Sequence, residues 1–168
     1  ERMLQSSEPL WVEGKFDDHG KWMDGWETRR RRDGQNDYCF IKLGQKSVIN
    51  GFNINTNHFT GNYAPGVSIM GGCFASDLSE SDVVNNSDSG AWIDLLKVQN
   101  LDGNSDNIFS CSDQRELTHL KLTMYPDGGI ARFHAFGSIC FDDGLYDYGT
   151  ARTHLSGSRK PKTAHPAS

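Results

Sequence analysis

The sequence predicts an all-β domain built as an antiparallel β-sandwich, and three observations support that prediction. The 168 residues include 18 glycines and five prolines, a composition that favours many tight turns. Short runs in which apolar and polar residues alternate recur along the chain, as they do in half-buried strands. No long segment with the apolar periodicity of a helix separates these runs. Closely spaced strands without long helices are typical of antiparallel sandwiches.

The first predicted strands occupy the middle of the chain. Residues 38–43 form an apolar-rich run that ends at Gly44, and residues 48–56 alternate apolar and polar side chains. Residues 67–70 form a third short run between a Pro-Gly and a Gly-Gly turn. Residues 92–96 are compatible with a strand or with a helical turn, because five residues do not decide between the two periods.

The strongest alternation lies near the end of the predicted sheet. Within residues 120–125, two leucines and a methionine share one face. The Pro-Asp-Gly-Gly sequence at 126–129 predicts a tight turn into a strand at 130–136, so that the two strands form a hairpin. Arg132 and His134 would then point to the outer or ligand-facing side of this hairpin.

Two segments have the composition of loops or tails. Residues 76–89 are rich in Ser, Asp and Asn and predict a mobile surface loop. Residues 149–168 contain one sizeable apolar residue and predict a disordered polar tail. One domain over residues 1–148 remains. Because the chain begins with Glu1 and not Met, we expect a fragment or a trimmed product.

Composition excludes several classes of function. The net charge of -5 argues against a nucleic-acid-binding protein, and no apolar run is long enough for a membrane span. The four cysteines include no C-x-x-C pair, so we expect buried, reduced thiols. The C-terminal Pro-Ala-Ser is not a peroxisomal Ser-Lys-Leu signal, which leaves the compartment open between cytoplasm and peroxisome.

The first cluster of candidate functional residues lies at 21–32, where two tryptophans and two acids precede four consecutive arginines. One interpretation is a solvated arginine face that pairs with the acidic residues just beyond it. The other is that Arg29 or Arg30 grips a small carboxylate through a bidentate contact, with Asp24 or Glu27 nearby.

Two further polar clusters follow predicted strands. Residues 55–65 contain His58 and Asn62, in a position where sandwiches carry ligand loops. Residues 125–132 contain Asp127, which either bonds local amides in a turn or faces a ligand. Turn formation and packing are the alternative explanations for both clusters.

Spacing supports no metal site, phosphate-binding loop or nucleophile elbow. The six histidines form neither H-x-x-H nor H-E-x-x-H, and G-x-S-x-G is absent. We therefore expect no cofactor, although a divalent ion among Asp24, Glu27 and Asp127 would need no recognisable spacing.

Taken together, these motifs resemble the allantoicase family (allantoate amidinohydrolases). They occur in the family's order and cover roughly residues 4–137. The matching strings are GKWMDGWETRRRR at 20–32, DYCFIKLG at 37–44, HFTGNYAPGVSI at 58–69 and THLKLTMYPDGGIARF at 118–133.

The resemblance implies a jelly-roll sandwich of the galactose-binding-like kind. It also implies hydrolysis of allantoate to ureidoglycolate and urea, in purine breakdown. The family usually carries two such repeats, and this chain is most similar to the first, without its opening strand or strands. Two chains could then associate to replace the missing repeat. Asn55 departs from the aspartate that is common in the family, which would remove a carboxylate.

The chemistry of allantoate suggests a role for each candidate residue. Urea release needs a cation for the carboxylate, an acid for the departing nitrogen and a base for water. The proposed proton-transfer residues are Asp24, Glu27 and His58. The proposed substrate-binding residues are Arg29, Arg30, Asn62, Asp127 and Arg132. Two alternatives remain, a truncated or inactive family member and a small-ligand-binding module.

Overall fold

The structure, a computed structural model, describes residues 2–18, 20–86 and 91–141. The tail predicted at 149–168 lies outside these residues. A 3₁₀ helix at Arg2–Leu4 and one α-helix, α1 (Glu80–Asn85), accompany the strands. The strands are β1 (Phe16–Asp17), β2 (Gly20–Lys21), β3 (Trp26–Glu27), β4 (Tyr38–Asn55), β5 (Gly66–Gly72), β6 (Trp92–Asn100), β7 (Asp106–Ser110), β8 (Leu117–Tyr125), β9 (Gly129–Ile130) and β10 (Arg132–Ile139).

The long strand β4 connects the two layers of the sandwich. Its first half pairs with β8, and the register shifts between Lys42 and Ser47. Its second half lies between β10 and β7. One layer therefore continues from β4 through β8 and β5 to β6, and the other contains β10, β4 and β7. All of these pairings are antiparallel.

The two layers enclose one main apolar core. Leu120, Leu122 and Met124 of β8 are fully buried, which confirms the alternation that predicted this strand. From the other layer, the rings of Phe52 and Phe133 stack with centroids 6.0 Å apart. Residues from both layers belong to the same buried cluster, so the predicted antiparallel sandwich is confirmed.

Two predictions about strand connection were wrong. Strands β8 and β10 do not form a hairpin, because both edges of β8 are already paired, with β4 and with β5. The chain instead crosses to the other layer, where β10 pairs with β4. Gly44 does not end a strand either. The two runs predicted on its two sides form one continuous strand, and the pairing with β8 changes register in the region that contains Gly44.

Two other segments differ from expectation. Residues 92–96 belong to a nine-residue strand, β6, while β7 was not predicted. Within the predicted loop at 76–89, the structure has α1, which begins at a capping box formed by Ser79 and Asp82. Val83 of this helix is buried against Phe74 and Trp92, which explains why a polar segment folds. Residues 87–89 lie outside the described part.

None of the helices that the structure describes is long and apolar enough to cross a lipid bilayer.

Candidate active-site cleft

Three segments that are distant in sequence meet where β3 pairs with β9. Trp26 and Glu27 pair with Ile130 and Gly129 in an antiparallel register. Next to this pair, the Thr28 N–H donates to the carbonyl oxygen of Gly128 at 3.0 Å. The arginine-rich segment is therefore fixed on the Pro-Asp-Gly-Gly turn.

The third segment, which contains Asn62, reaches the same place through its main chain. The Gly129 N–H donates to the Asn62 carbonyl (2.8 Å), and the Ala64 N–H donates to the Gly129 carbonyl (3.2 Å). A Cβ atom on Gly129 would lie 2.0 Å from the ring of Phe59, which is fully buried. Glycine thus allows the close approach of these two segments.

An open cleft of about 870 Å³ is lined mainly by residues from 21–30, together with Arg2, Asp17 and Asn62. Four cations line it against two carboxylates, Asp17 and Glu27, so positive charge is in excess. The Asn62 Nδ2 donates to Glu27 Oε1 at 2.6 Å, which fixes the carboxylate at the cleft wall. The cations are Arg2, Lys21, Arg29 and Arg30.

Asp127 lies in a smaller adjoining cleft of about 250 Å³, which Glu27, Arg30 and Asn62 also line. Its side chain is nearly buried, and its Oδ2 accepts from the Arg31 N–H at 2.6 Å. The structure therefore brings five of the eight predicted site residues together in two adjoining clefts. They are Glu27, Arg29, Arg30, Asn62 and Asp127.

Asp24 and Arg132 form a buried ion pair outside these clefts. Arg132 Nη2 donates to Asp24 Oδ2 at 2.6 Å, and the two side chains are 1% and 7% exposed, respectively. Burial raises the pKa of Asp24, but hydrogen bonds from Arg132 and the Leu10 N–H, with the Arg132 charge, outweigh it and lower the pKa. Arg132 therefore does not occupy the exposed, ligand-facing position that the alternation predicted.

His58 also lies apart from the cleft. Its Nε2 lies 3.2 Å from the carbonyl oxygen of Pro9, and the ring centroids of His58 and Trp11 are 5.7 Å apart. Its main chain has a φ of 71°, and its N–H donates to Asn104 Oδ1 at 2.9 Å. His58 thus contacts the N-terminal segment instead of the residues around Glu27.

The members of the arginine run differ in their surroundings. Arg31 makes the expected ion pairs with Asp33 (2.8 Å) and Asp37 (2.7 Å). Arg29 and Arg30 line the cleft and make no hydrogen bond or ion pair within the described residues. Sequence alone could not separate these roles, because all four arginines look alike until the turn that receives the segment is known.

Two cleft residues, Arg2 and Lys21, were not predicted as site residues. Lys21 stands at the edge of the matching string and could have been included on that ground. Nothing in the sequence pointed to Arg2, which the fold of the N-terminal segment brings to the cleft. The guanidinium of Arg2 also lies 4.9 Å from the ring of Trp22, another residue of the cleft wall.

The described residues contain no group of three or more His, Cys, Asp or Glu side chains placed to hold a metal ion. Asp24, Glu27 and Asp127 each already accept a hydrogen bond, from Arg132, Asn62 and the Arg31 N–H, respectively. These three acids do not present a shared oxygen cage.

Asn55 is buried away from the cleft. Its Nδ2 donates to Asp106 Oδ1 at 2.8 Å, and its Oδ1 accepts from the Asn57 N–H at 2.8 Å. Hydrogen bonds from Asn53 and Asn55 lower the pKa of Asp106. The neutral Asn55 thus donates a hydrogen bond to the Asp106 carboxylate. The charge that an aspartate would carry at position 55 would lie outside the cleft walls.

Comparison with solved structures agrees with the fold. The chain superimposes on allantoicase from Saccharomyces cerevisiae with a TM-score of 0.65 and 32% identity, over 81% of this chain and 40% of that one. The carbohydrate-binding module CBM32-3 of a Clostridium perfringens glycoside hydrolase matches 78% of this chain and 90% of its own (TM-score 0.50, 12% identity). The fold is thus the galactose-binding-like sandwich that the motifs implied.

Comparison with curated sequences gives the family. The “Probable allantoicase” of Pseudomonas aeruginosa (strain LESB58) is 47% identical over 136 residues, 81% of this chain and 39% of that protein. “Probable allantoicase 1” of Burkholderia mallei is 41% identical over 142 residues, 84% of this chain and 40% of that protein. The chain spans about two fifths of the length of these relatives. The allantoicase repeat model matches residues 1–140, and the chain therefore belongs to the allantoicase family.

Proposed function

We propose that the cleft binds allantoate and that hydrolysis to ureidoglycolate and urea takes place there. The observation that carries this proposal is the placement of the Glu27 carboxylate beside Arg29 and Arg30 in one cleft. The hydrogen bond from Asn62 to Glu27 at 2.6 Å supports it further, because this bond orients the carboxylate.

Substrate binding rests on the two arginines. Allantoate carries one carboxylate, which matches the planar fork of a guanidinium in a bidentate contact. Arg29 and Arg30 are free of partners within the residues that the structure describes, so either can make this contact. The Asn62 side chain and the Asp127 carboxylate would bind the ureido groups from the neighbouring cleft wall.

We assign activation of water to Glu27 in preference to Asp24 or His58. The Asp24 carboxylate is taken up by Arg132 and the Leu10 N–H, and His58 contacts Pro9 and Trp11. One oxygen of Glu27 accepts from Asn62, and the other is available to take a proton from the attacking water and to return it to the departing nitrogen, so that urea leaves neutral. Asp24, which forms the buried pair with Arg132, directly precedes Gly25 of the cleft wall, so the pair would support that wall.

The test is allantoate-dependent release of urea by this chain. We expect Glu27→Gln to lower kcat by about 10²–10⁴-fold, because the amide cannot accept the proton. Glu80→Gln on α1 is the matched control, and it should keep full turnover. Undiminished turnover by Glu27→Gln would remove the assignment of the base. Saturable binding of allantoate without urea would instead favour the small-ligand-binding module.

A further inference from the structure

We propose that Arg31 is a positioning residue that holds Arg29 and Arg30 towards the cleft. This inference rests on the proposed function of the cleft and adds to it a residue that contacts no substrate. Arg31 lines the smaller cleft, but its guanidinium is bound to other side chains. Its effect would therefore pass through its neighbours.

The main chain of the arginine segment is anchored on both sides of Arg29 and Arg30. Before them, the Thr28 N–H donates to the Gly128 carbonyl at 3.0 Å, and the Gly128 N–H donates to Thr28 Oγ1 at 3.3 Å. After them, the Arg31 N–H donates to Asp127 Oδ2 at 2.6 Å. Arg29 and Arg30 thus lie between two residues, Thr28 and Arg31, whose main chains are both hydrogen-bonded to the turn at 126–129.

The side chain of Arg31 fixes the second anchor to the sheet. Its Nε donates to Asp37 Oδ1 at 2.7 Å, and its Nη1 donates to Asp33 Oδ2 at 2.8 Å. Asp37 is itself held by its main chain, which accepts from the Met124 N–H (2.7 Å) and donates to the Pro126 carbonyl (2.8 Å). Arg31 is therefore connected to the end of β8 and not only to its own loop.

The consequence is preorganisation of the two cleft arginines. A span of only two residues between fixed anchors restricts the main-chain directions from which Arg29 and Arg30 extend. The two arginine side chains then lose less conformational entropy when a carboxylate binds, which improves affinity without a new contact. Loss of the Arg31 side chain would leave that end of the span held only by the main-chain bond to Asp127, while Arg29 and Arg30 stay intact.

The kinetic test compares Arg31→Gln with Arg32→Gln, a matched control at an exposed neighbour without a partner in the described residues. We expect Arg31→Gln to raise KM for allantoate about tenfold and to leave kcat within about twofold, the pattern of lost uniform binding. Arg31→Lys should recover part of the loss, because its ammonium still reaches one carboxylate. Equal KM values for the wild type and Arg31→Gln, or no recovery by lysine, would overturn the proposal.

A second measurement does not depend on activity. Limited trypsin digestion followed by mass spectrometry reports cleavage after Arg29, where both flanking residues are unchanged in the variants. We expect faster cleavage there in Arg31→Gln and an unchanged rate in Arg32→Gln. If the wild type releases no urea, the proposed function fails, while an unchanged cleavage rate in Arg31→Gln separately refutes the anchoring. Asp37→Asn provides the same comparison if Arg31→Gln does not fold.

Discussion

Arg132 shows how one residue can carry a charge and yet serve the fold. Its guanidinium donates to four main-chain carbonyls and to the Asp24 carboxylate, so each nitrogen of the buried group has a hydrogen-bond acceptor. Two of these carbonyls belong to Ser7 and Glu8, which connects the N-terminal segment to β10. The alternation in sequence placed Arg132 on the face of the strand opposite Phe133. It could not show that the N-terminal segment covers that face.

This pair predicts a specific dependence of stability on pH. The pKa of Asp24 is lower in the folded chain than in the unfolded chain, so its stabilisation is complete above the unfolded pKa of about 3.9. This stabilisation is lost as the pH falls through the lower pKa that Asp24 has in the folded chain. Urea unfolding between about pH 5 and pH 2 should show this loss in the wild type, and Asp24→Asn should lack that part of it.

At pH 7, removing one partner of the same pair should be costly. We expect Asp24→Asn to lower the free energy of unfolding by about 3 kcal/mol, because Arg132 is left buried without its counter-charge. Asp77→Asn at an exposed position is the control, with an expected change within about 0.5 kcal/mol. Equal stability of the two variants would show that the main-chain carbonyls alone satisfy Arg132.

At the scale of elements, the pairing of β3 with β9 supports the cleft although each strand has two residues. The Asn62 segment packs beside this pairing through main-chain hydrogen bonds with Gly129, which places Gly129 against Phe59. Glycine at this position is thus a packing requirement. Gly44 in β4 provides a contrast, because a Cβ atom there would have no neighbour within 4 Å.

The two glycines make a matched pair of variants. We expect Gly129→Ala to lower the free energy of unfolding by about 1–3 kcal/mol, since the ring of Phe59 must move away from the added methyl group. We expect Gly44→Ala to be neutral or to stabilise by up to about 1 kcal/mol, because alanine loses less backbone entropy than glycine. Thermal or urea unfolding checks both, and a tolerated Gly129→Ala would contradict the close approach.

Local patterns predicted the elements better than their connections. The buried face of β8 followed from alternation, and the motif strings contain Glu27, Asn62 and Asp127, which the structure brings to one cleft. The hairpin prediction failed because strand pairing depends on which edges are occupied, and the partners of β8 are distant in sequence. The same limit explains Arg31, whose anchor Asp127 lies 96 residues away. Such long-range contacts leave no periodic signal.

At the scale of the whole molecule, the cleft has the opposite sign to the chain. The net charge is -5, whereas four cations face two carboxylates around the cleft. The fold produces this local excess by bringing Arg2 and Lys21 beside Arg29 and Arg30. A cleft of one sign attracts ligands of the other, and added salt weakens that attraction over the exposed part of the site.

The charge of the cleft leads to a prediction for the stability of the folded chain. A ligand that binds only the folded state stabilises it, by about 2.7 kcal/mol at 100 times its Kd. For a domain of this size, that corresponds to a rise in Tm of roughly 5–10 °C. We expect allantoate to produce this rise in low salt, and about 1 M NaCl to reduce it.

Arg30→Gln tests whether the rise in Tm comes from the cleft, because Arg30 lines both the larger cleft and the adjoining one. Loss of a bidentate carboxylate contact should remove most of the shift, whereas Arg32→Gln should retain it. Allantoin, which lacks the carboxylate, should give no shift in either variant. If Arg30→Gln and the wild type were stabilised equally by allantoate, the carboxylate would bind elsewhere, and the excess of positive charge in the cleft would have another purpose.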